Sequence, residues 1–201
     1  MISRALTALL VVAAATVASS SAQPTKRDSI VCQPKSDAAW LYQGDAIYAY
    51  DGTLAGFKGP NLSFDGRSGD LTPLQFQSSV CTSKALNLTV PDRTGSGYAD
   101  PNPIKLYLAD QPGKCLALSS TTQANTYLVA ADCSDDDSAD AQASQFFLQD
   151  YKYQSIRPFG SKGMSWGLQI YDSPEGNIIA NPSTCFSGQT CQTDNQISLR
   201  L

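Results

Sequence analysis

Histidine is absent from the 201 residues. That excludes Ser-His-Asp and Cys-His catalysis as usually built, and every metal site that depends on imidazole. Glutamate occurs once, at Glu175, in a Ser-Pro-Glu-Gly turn; the other 17 acidic residues are aspartates. A glycosidase needs two carboxylates at a set separation, one with its pKa raised by burial. No aspartate pair is singled out by apolar neighbours, and neither Asp51-Gly52-Thr53 nor Asp65-Gly66-Arg67 matches the aspartic-protease motif. Cys-x-x-Cys pairs are missing as well, and Cys185-x5-Cys191 is too loose for zinc. No enzyme, cofactor or metal is therefore expected. Basic charge is also short. Fourteen Lys+Arg stand against 18 Asp+Glu, and beyond residue 27 the balance is 11 against 18, or −7. Nucleic acid and anionic membranes both require a basic surface, so neither is an expected partner.

Long hydrophobic runs are confined to the start. Residues 1–22 carry the parts of a secretory signal peptide: Arg4, an apolar run over 5–17, and Ser20-Ser21-Ala22 for cleavage. The run of 13 residues falls short of the roughly 20 that span a bilayer. Residues 23–27 form a short pro-segment ending in Lys26-Arg27, a dibasic pair of the kind that Golgi proteases cut in fungi. The expected product is a secreted, extracellular fungal protein beginning at Asp28, long enough for one compact domain.

Six cysteines follow, Cys32, Cys81, Cys115, Cys133, Cys185 and Cys191. An even count behind a signal peptide implies disulfides, with 15 connectivities open. Asn61-Leu62-Ser63 and Asn87-Leu88-Thr89 are N-glycosylation sequons, which expects a glycoprotein with Asn61 and Asn87 on the surface.

Cys81, Cys133 and Cys185 are spaced 52 and 52. The same slide brings Phe64, Leu116 and Leu168 into one column, each ahead of a turn-rich stretch. Asn125 and Asn177 also align, each followed by a strand-like run. Apolar returns appear at Gln145-Phe146-Phe147-Leu148 and Gln196-Ile197-Ser198-Leu199, with residues 86–90 the nearest counterpart in the first unit. The apolar stretches are four to six residues long, often alternating, and bounded by Gly, Pro, Asn, Asp and Ser. No segment after the signal keeps helical spacing over three turns. Short strands with turn signals mean an all-β fold. Threefold repetition at this length points to a β-trefoil, since three propeller blades would not close a ring. An immunoglobulin-like sandwich is the alternative, although it leaves the period unexplained.

In its second unit the chain resembles the ricin B-type lectin family. Gly113-Lys114-Cys115-Leu116-Ala117-Leu118 is similar to the opening motif, 129–133 to the strand ending in the paired cysteine, and Gln145-Phe146-Phe147 to the closing motif. The third unit repeats the pattern with Trp166-Gly167-Leu168-Gln169-Ile170, lacking its cysteine, and Asn195-Gln196-Ile197-Ser198. The resemblance implies a β-trefoil and a Cys115–Cys133 disulfide within the repeat. For the other four cysteines the expectation is a small Cys185–Cys191 loop and a Cys32–Cys81 clamp on the N-terminus.

The family's galactose site implies an Asp after the opening motif, an aromatic before the mid-repeat cysteine, and an Asn beside the closing Gln. The Asp position holds Asp65, Ala117 and Gln169; the aromatic position holds Ser79, Ala131 and Ser183; the Asn position survives at Asn195. No unit has all three. Other carbohydrate contacts are expected from Trp166, Tyr171, Asp172 and Asn177 around the third unit's first hairpin, with Asp65 and Phe76 a poorer set. Asp132, Asp135, Asp136, Asp137 and Asp140 crowd one stretch that lacks EF-hand spacing and reads as a solvated acidic loop. The leading expectation is a secreted, non-catalytic carbohydrate-binding module. The alternative is a trefoil that binds a protein target, as a protease inhibitor or a host-directed effector, offering Arg93 on the turn-rich stretch 92–103.

Overall fold

The computed structural model describes residues 29–43, 54–64, 72–91, 101–123, 126–150, 155–160, 165–170, 178–183 and 197–200, the last three stretches as backbone. The described chain is almost entirely antiparallel β-structure. Six strands carry the frame: β2 (Ala39–Gln43), β6 (Gln75–Thr82), β7 (Asn102–Leu108), β10 (Phe147–Gln149), β11 (Ser155–Pro158) and β14 (Ile197–Arg200). Ala39 pairs with Phe76, Val80 with Ile104, Ile104 with Phe147, Leu148 with Arg157, and Ile156 with Ile197. Leu199 then pairs with Leu41, so the sequence of neighbours returns to the strand where it began.

Three hairpins leave this frame. They are β3 (Ala55–Lys58) with β4 (Asn61–Phe64), β8 (Lys114–Leu118) with β9 (Thr126–Asp132), and β12 (Ser165–Ile170) with β13 (Ile178–Ser183). The first turns through Gly59-Pro60, where Gly59 takes a φ of 60°, the left-handed conformation that a two-residue hairpin loop asks of its first residue. The hairpins also pair with one another, Asn61 with Val129 and Tyr127 with Ile179. A two-residue strand, β5 (Thr72–Pro73), borders β3.

Alternation along the strands separates two apolar clusters. Phe76, Ile104, Leu106, Leu108, Phe147 and Ile156 from the frame pack with Leu62, Leu116, Leu118 and Leu128 from the hairpins in the main core. The opposite faces of β6 and β7 are covered too. Here Cys81 packs with Ile30, Leu86, Ala143 and Phe146 in a second cluster. Its cover comes from β1 (Val31–Cys32), the turn at residues 83–88, and a one-turn helix α1 (Ala139–Ala143). Ser138 caps α1, its Oγ accepting from Ala141 N at 3.3 Å.

The disulfides among the described residues join Cys115 to Cys133 and Cys32 to Cys81. Cys185 and Cys191 lie outside the described residues. Leu116 on β8 and Leu168 on β12 both stand on the opening strands of their hairpins, but their partners Ala130 and Ala180 are 50 residues apart, and Phe64 and Cys81 fall on unlike elements. Phe64 sits on β4, the returning strand of its hairpin. Cys81 sits on frame strand β6 and ties to Cys32 ahead of β2, whereas Cys133 follows hairpin strand β9. Residues 86–90 are likewise no returning strand: Ser83 and Leu88 close a turn there, and β6 itself is the return.

Candidate functional site

Of the residues expected to meet a carbohydrate, Trp166 and Phe76 fall within the described residues, Trp166 on β12 opposite Pro182. Asp65, Tyr171, Asp172, Asn177 and Asn195 lie outside the described residues. The last pair of that hairpin is Ile170 with Ile178. Trp166 is four residues down the strand from it, about 13 Å at the rise of an antiparallel strand. Nearness in sequence therefore does not bring Trp166 to the end of the hairpin where residues 171–177 begin. Three of the positions implied by the family resemblance are filled by small side chains with other duties. Ala117 is buried on β8, Ala131 pairs with Cys115 on β9, and Ser79 is buried on β6, donating to the Gln33 carbonyl at 2.5 Å. Phe76, weighed as a partner for Asp65, is fully buried in the main core. In the stretch 92–103, Asn102 and Pro103 belong to β7 and are buried, and Arg93 lies outside the described residues.

The most developed polar constellation sits on the covered face of β6 and β7, and sequence reasoning missed its centre. Lys105 lies between core residues Ile104 and Leu106, so its side chain leaves the strand on the opposite face. There α1 and the segment before it close over it. Lys105 is 0% exposed; its Nζ donates to the Ser134 carbonyl at 2.6 Å and to Gln142 Oε1 at 3.2 Å. Gln142, also at 0% exposure, sends its own Nε2 to the carbonyls of Ser134 at 2.8 Å and Asp136 at 2.7 Å. Gln145 finishes the work from the other side, accepting from Ser134 N at 3.1 Å and donating to the Asp132 carbonyl at 2.7 Å. Loss of hydration lowers the Lys105 pKa to about 8, with the Asp135 charge pulling it back up. Two residues on, burial first and Asp135 second raise the Tyr107 phenol above its usual range. Lys35 from the N-terminal segment rests 4.0 Å from the centre of the Tyr107 ring.

The acidic stretch is only partly the solvated loop expected from sequence. Asp132, Asp135 and Asp140 are exposed. Asp132 pairs with Lys114 at 2.8 Å, and that hydrogen bond and charge hold its carboxyl below the usual range. Asp137 instead fastens the neighbouring turn, accepting from Ser83 Oγ, from Lys84 N at 2.9 Å and from Ala85 N at 3.4 Å. Among the described residues no group of His, Cys, Asp and Glu is placed to hold a metal ion.

Chemically, this constellation is a latch. A buried ammonium with no exposed surface cannot meet a substrate, and its hydrogen bonds go to a carbonyl and a side-chain amide of the segment that covers it. Its product is a fixed path for residues 132–142, hence a fixed seat for the second hairpin. The only sequence signal was a lysine inside an apolar strand, and alternation alone assigns that to solvent. No protein-family model matches the chain, and no curated protein matches it either.

Proposed function

We propose that the frame and its three hairpins form a β-trefoil, and that the protein is a secreted, non-catalytic module that binds carbohydrate. Supporting the fold reading, six strands pair in a cycle, and β4–β9 and β9–β13 draw the three hairpins together. A ring closed by hairpins leaves no long free edge and presents several similar loops on one scaffold. The Cys115–Cys133 disulfide within the second unit and the buried Gln145 at its close also favour a ricin B-type ancestry. Secretion is supported by the two disulfides, which persist in oxidising compartments. Among the described residues no helix is long and apolar enough to cross a membrane.

The observation that carries the functional reading is the hairpin set itself. Each hairpin in such a fold offers a surface for recognition, and the third carries Trp166 on strand β12. An aromatic ring takes the C–H face of a sugar, while carboxylate and amide groups fix its hydroxyls. Tyr171, Asp172 and Asn177 beyond the last pair of the hairpin are one proposed set of contacts, and Trp166, about 13 Å down the strand, and Asn195 are separate ones. Asp65 is the corresponding residue of the first unit.

A glycan array probed with the purified chain from residue 28 tests the reading. Binding that free sugar competes away, and that Trp166→Ala or Tyr171→Ala removes without moving the melting curve, is the expected result. Silence from a folded protein across the array would overturn it and turn attention to a protein partner at residues 92–101.

A further inference from the structure

The two sequons occupy opposite kinds of site. Asn61 opens β4, half-buried, paired with Lys58 in its own hairpin and with Val129 of β9. The next two residues of that sequon, Leu62 and Ser63, are each 0% exposed. Asn87 is the reverse. It stands exposed at the tip of the turn between Ser83 and Leu88, with a φ of 54°, and Thr89 beside it is exposed as well. The turn is closed by Ser83 N to Leu88 O at 3.0 Å, Leu88 N to Ser83 O at 2.8 Å and Asn87 N to Lys84 O at 3.1 Å, and it is fastened by Asp137. None of these bonds uses the Asn87 side-chain amide.

We infer that Asn87 is an N-glycan acceptor and that Asn61 is left bare. In the transfer, Nδ2 of Asn87 attacks the anomeric carbon of an oligosaccharide carried on a lipid pyrophosphate. A C–N bond forms, the C–O bond to the pyrophosphate breaks, the lipid pyrophosphate leaves with the electron pair, and one amide proton is released. At Asn87 the product is compatible with every contact the turn makes. At Asn61 a glycan would have to emerge from between β4 and β9, where the first two hairpins meet. The glycan at Asn87 would stand over the outer layer near Val90, an exposed apolar residue at 40%. That face is then closed to large partners, and recognition falls to the hairpins.

This inference rests on the secretory reading of residues 1–22, not on sugar binding. The full chain is expressed in a eukaryotic secretory host and recovered from the medium. Peptide-N-glycosidase treatment in heavy-oxygen water should remove the mass of one glycan and leave labelled aspartate at position 87 alone. Thr89→Ala, which spares the left-handed residue, should abolish the mass shift, and Asn61→Gln should leave it intact. A second glycan at position 61, or a chain with none, overturns the inference. Retention inside the cell with the leader uncleaved overturns the secretory reading and this inference with it.

Discussion

Lys105 on β7 and Gln142 on α1 face each other across the outer layer, ammonium to amide oxygen at 3.2 Å, and solvent reaches neither side chain. A positive charge has thus been placed where hydration is lost; it donates to Gln142 and the Ser134 carbonyl, and the Asp135 charge offsets only part of that loss.

The pH dependence of stability follows from this burial. The folded-state pKa of about 8 lies below the unfolded 10.5, so between these values the unfolded chain holds more protons. Stability is therefore expected to rise with pH across that window, while the burial cost is fully in force below pH 8. The gap is worth about 3 kcal/mol at full separation. Tyr107 acts oppositely above pH 10, because its raised pKa keeps the folded state protonated longer. Urea unfolding at pH 7 and pH 9.5 measures the rise, and Lys105→Met should remove it. A flat profile in the wild-type chain would contradict the assignment.

Loss of either disulfide should destabilise the fold, and not equally. Replacing Cys115 and Cys133 by Ala is expected to cost about 2–5 kcal/mol. The Cys32–Cys81 link closes a separation of 49 against 18, so chain entropy makes its removal about 1 kcal/mol costlier. Denaturant midpoints of the two double variants give the order directly.

Asp137→Ala removes the acceptor shared by Ser83, Lys84 and Ala85. The expected loss is about 1–3 kcal/mol, with Asp137→Asn intermediate because it keeps one acceptor oxygen. Amide exchange at Lys84 and Ala85 should quicken in step with the fall in melting temperature. Unchanged exchange would mean that the turn holds itself.

Gln145→Ala leaves the Asp132 carbonyl and the Ser134 amide without their side-chain partner. A cost of about 1–3 kcal/mol is expected, read from thermal melts. Gln145→Leu should do no better, since filling the volume restores neither hydrogen bond. Recovery by leucine would show that packing, not bonding, is the residue's task.

The second unit was legible because its signals are local. Cys115, Leu116, Cys133 and Gln145 lie on one hairpin and its return, and each does in space what its spacing suggests. The first unit was legible only in its Cys32–Cys81 clamp, because Cys81 was also read as a member of the period and serves a different purpose. It holds the N-terminal segment against β6, where the Ser36 Oγ accepts from Ser78 N at 3.0 Å and Gln33 N reaches the Val80 carbonyl at 2.9 Å. An added layer of this kind has no period of its own, so a residue that serves it can fall into a periodic column by spacing alone. Lys105 was hidden for the same reason. Strand alternation assigns a residue to one face or the other, but it cannot announce that the outer face is roofed. The aspartates read as solvated because charge alone carries no sign of Asp137 grasping a turn about fifty residues away in sequence.

The pairing of Leu41 with Leu199 has a consequence for how the protein is made. The strand that completes the cycle, β14, leaves the ribosome long after its partner β2. At 5–20 residues per second, β2 waits on the order of ten seconds for β14, with one edge unpaired throughout. Partial products can assemble the second hairpin and its latch, yet they cannot close the frame. Truncation near the C-terminus should therefore yield chains that retain local structure but clump through the vacant edge, and holdase chaperones would be expected to bind the nascent chain during that interval.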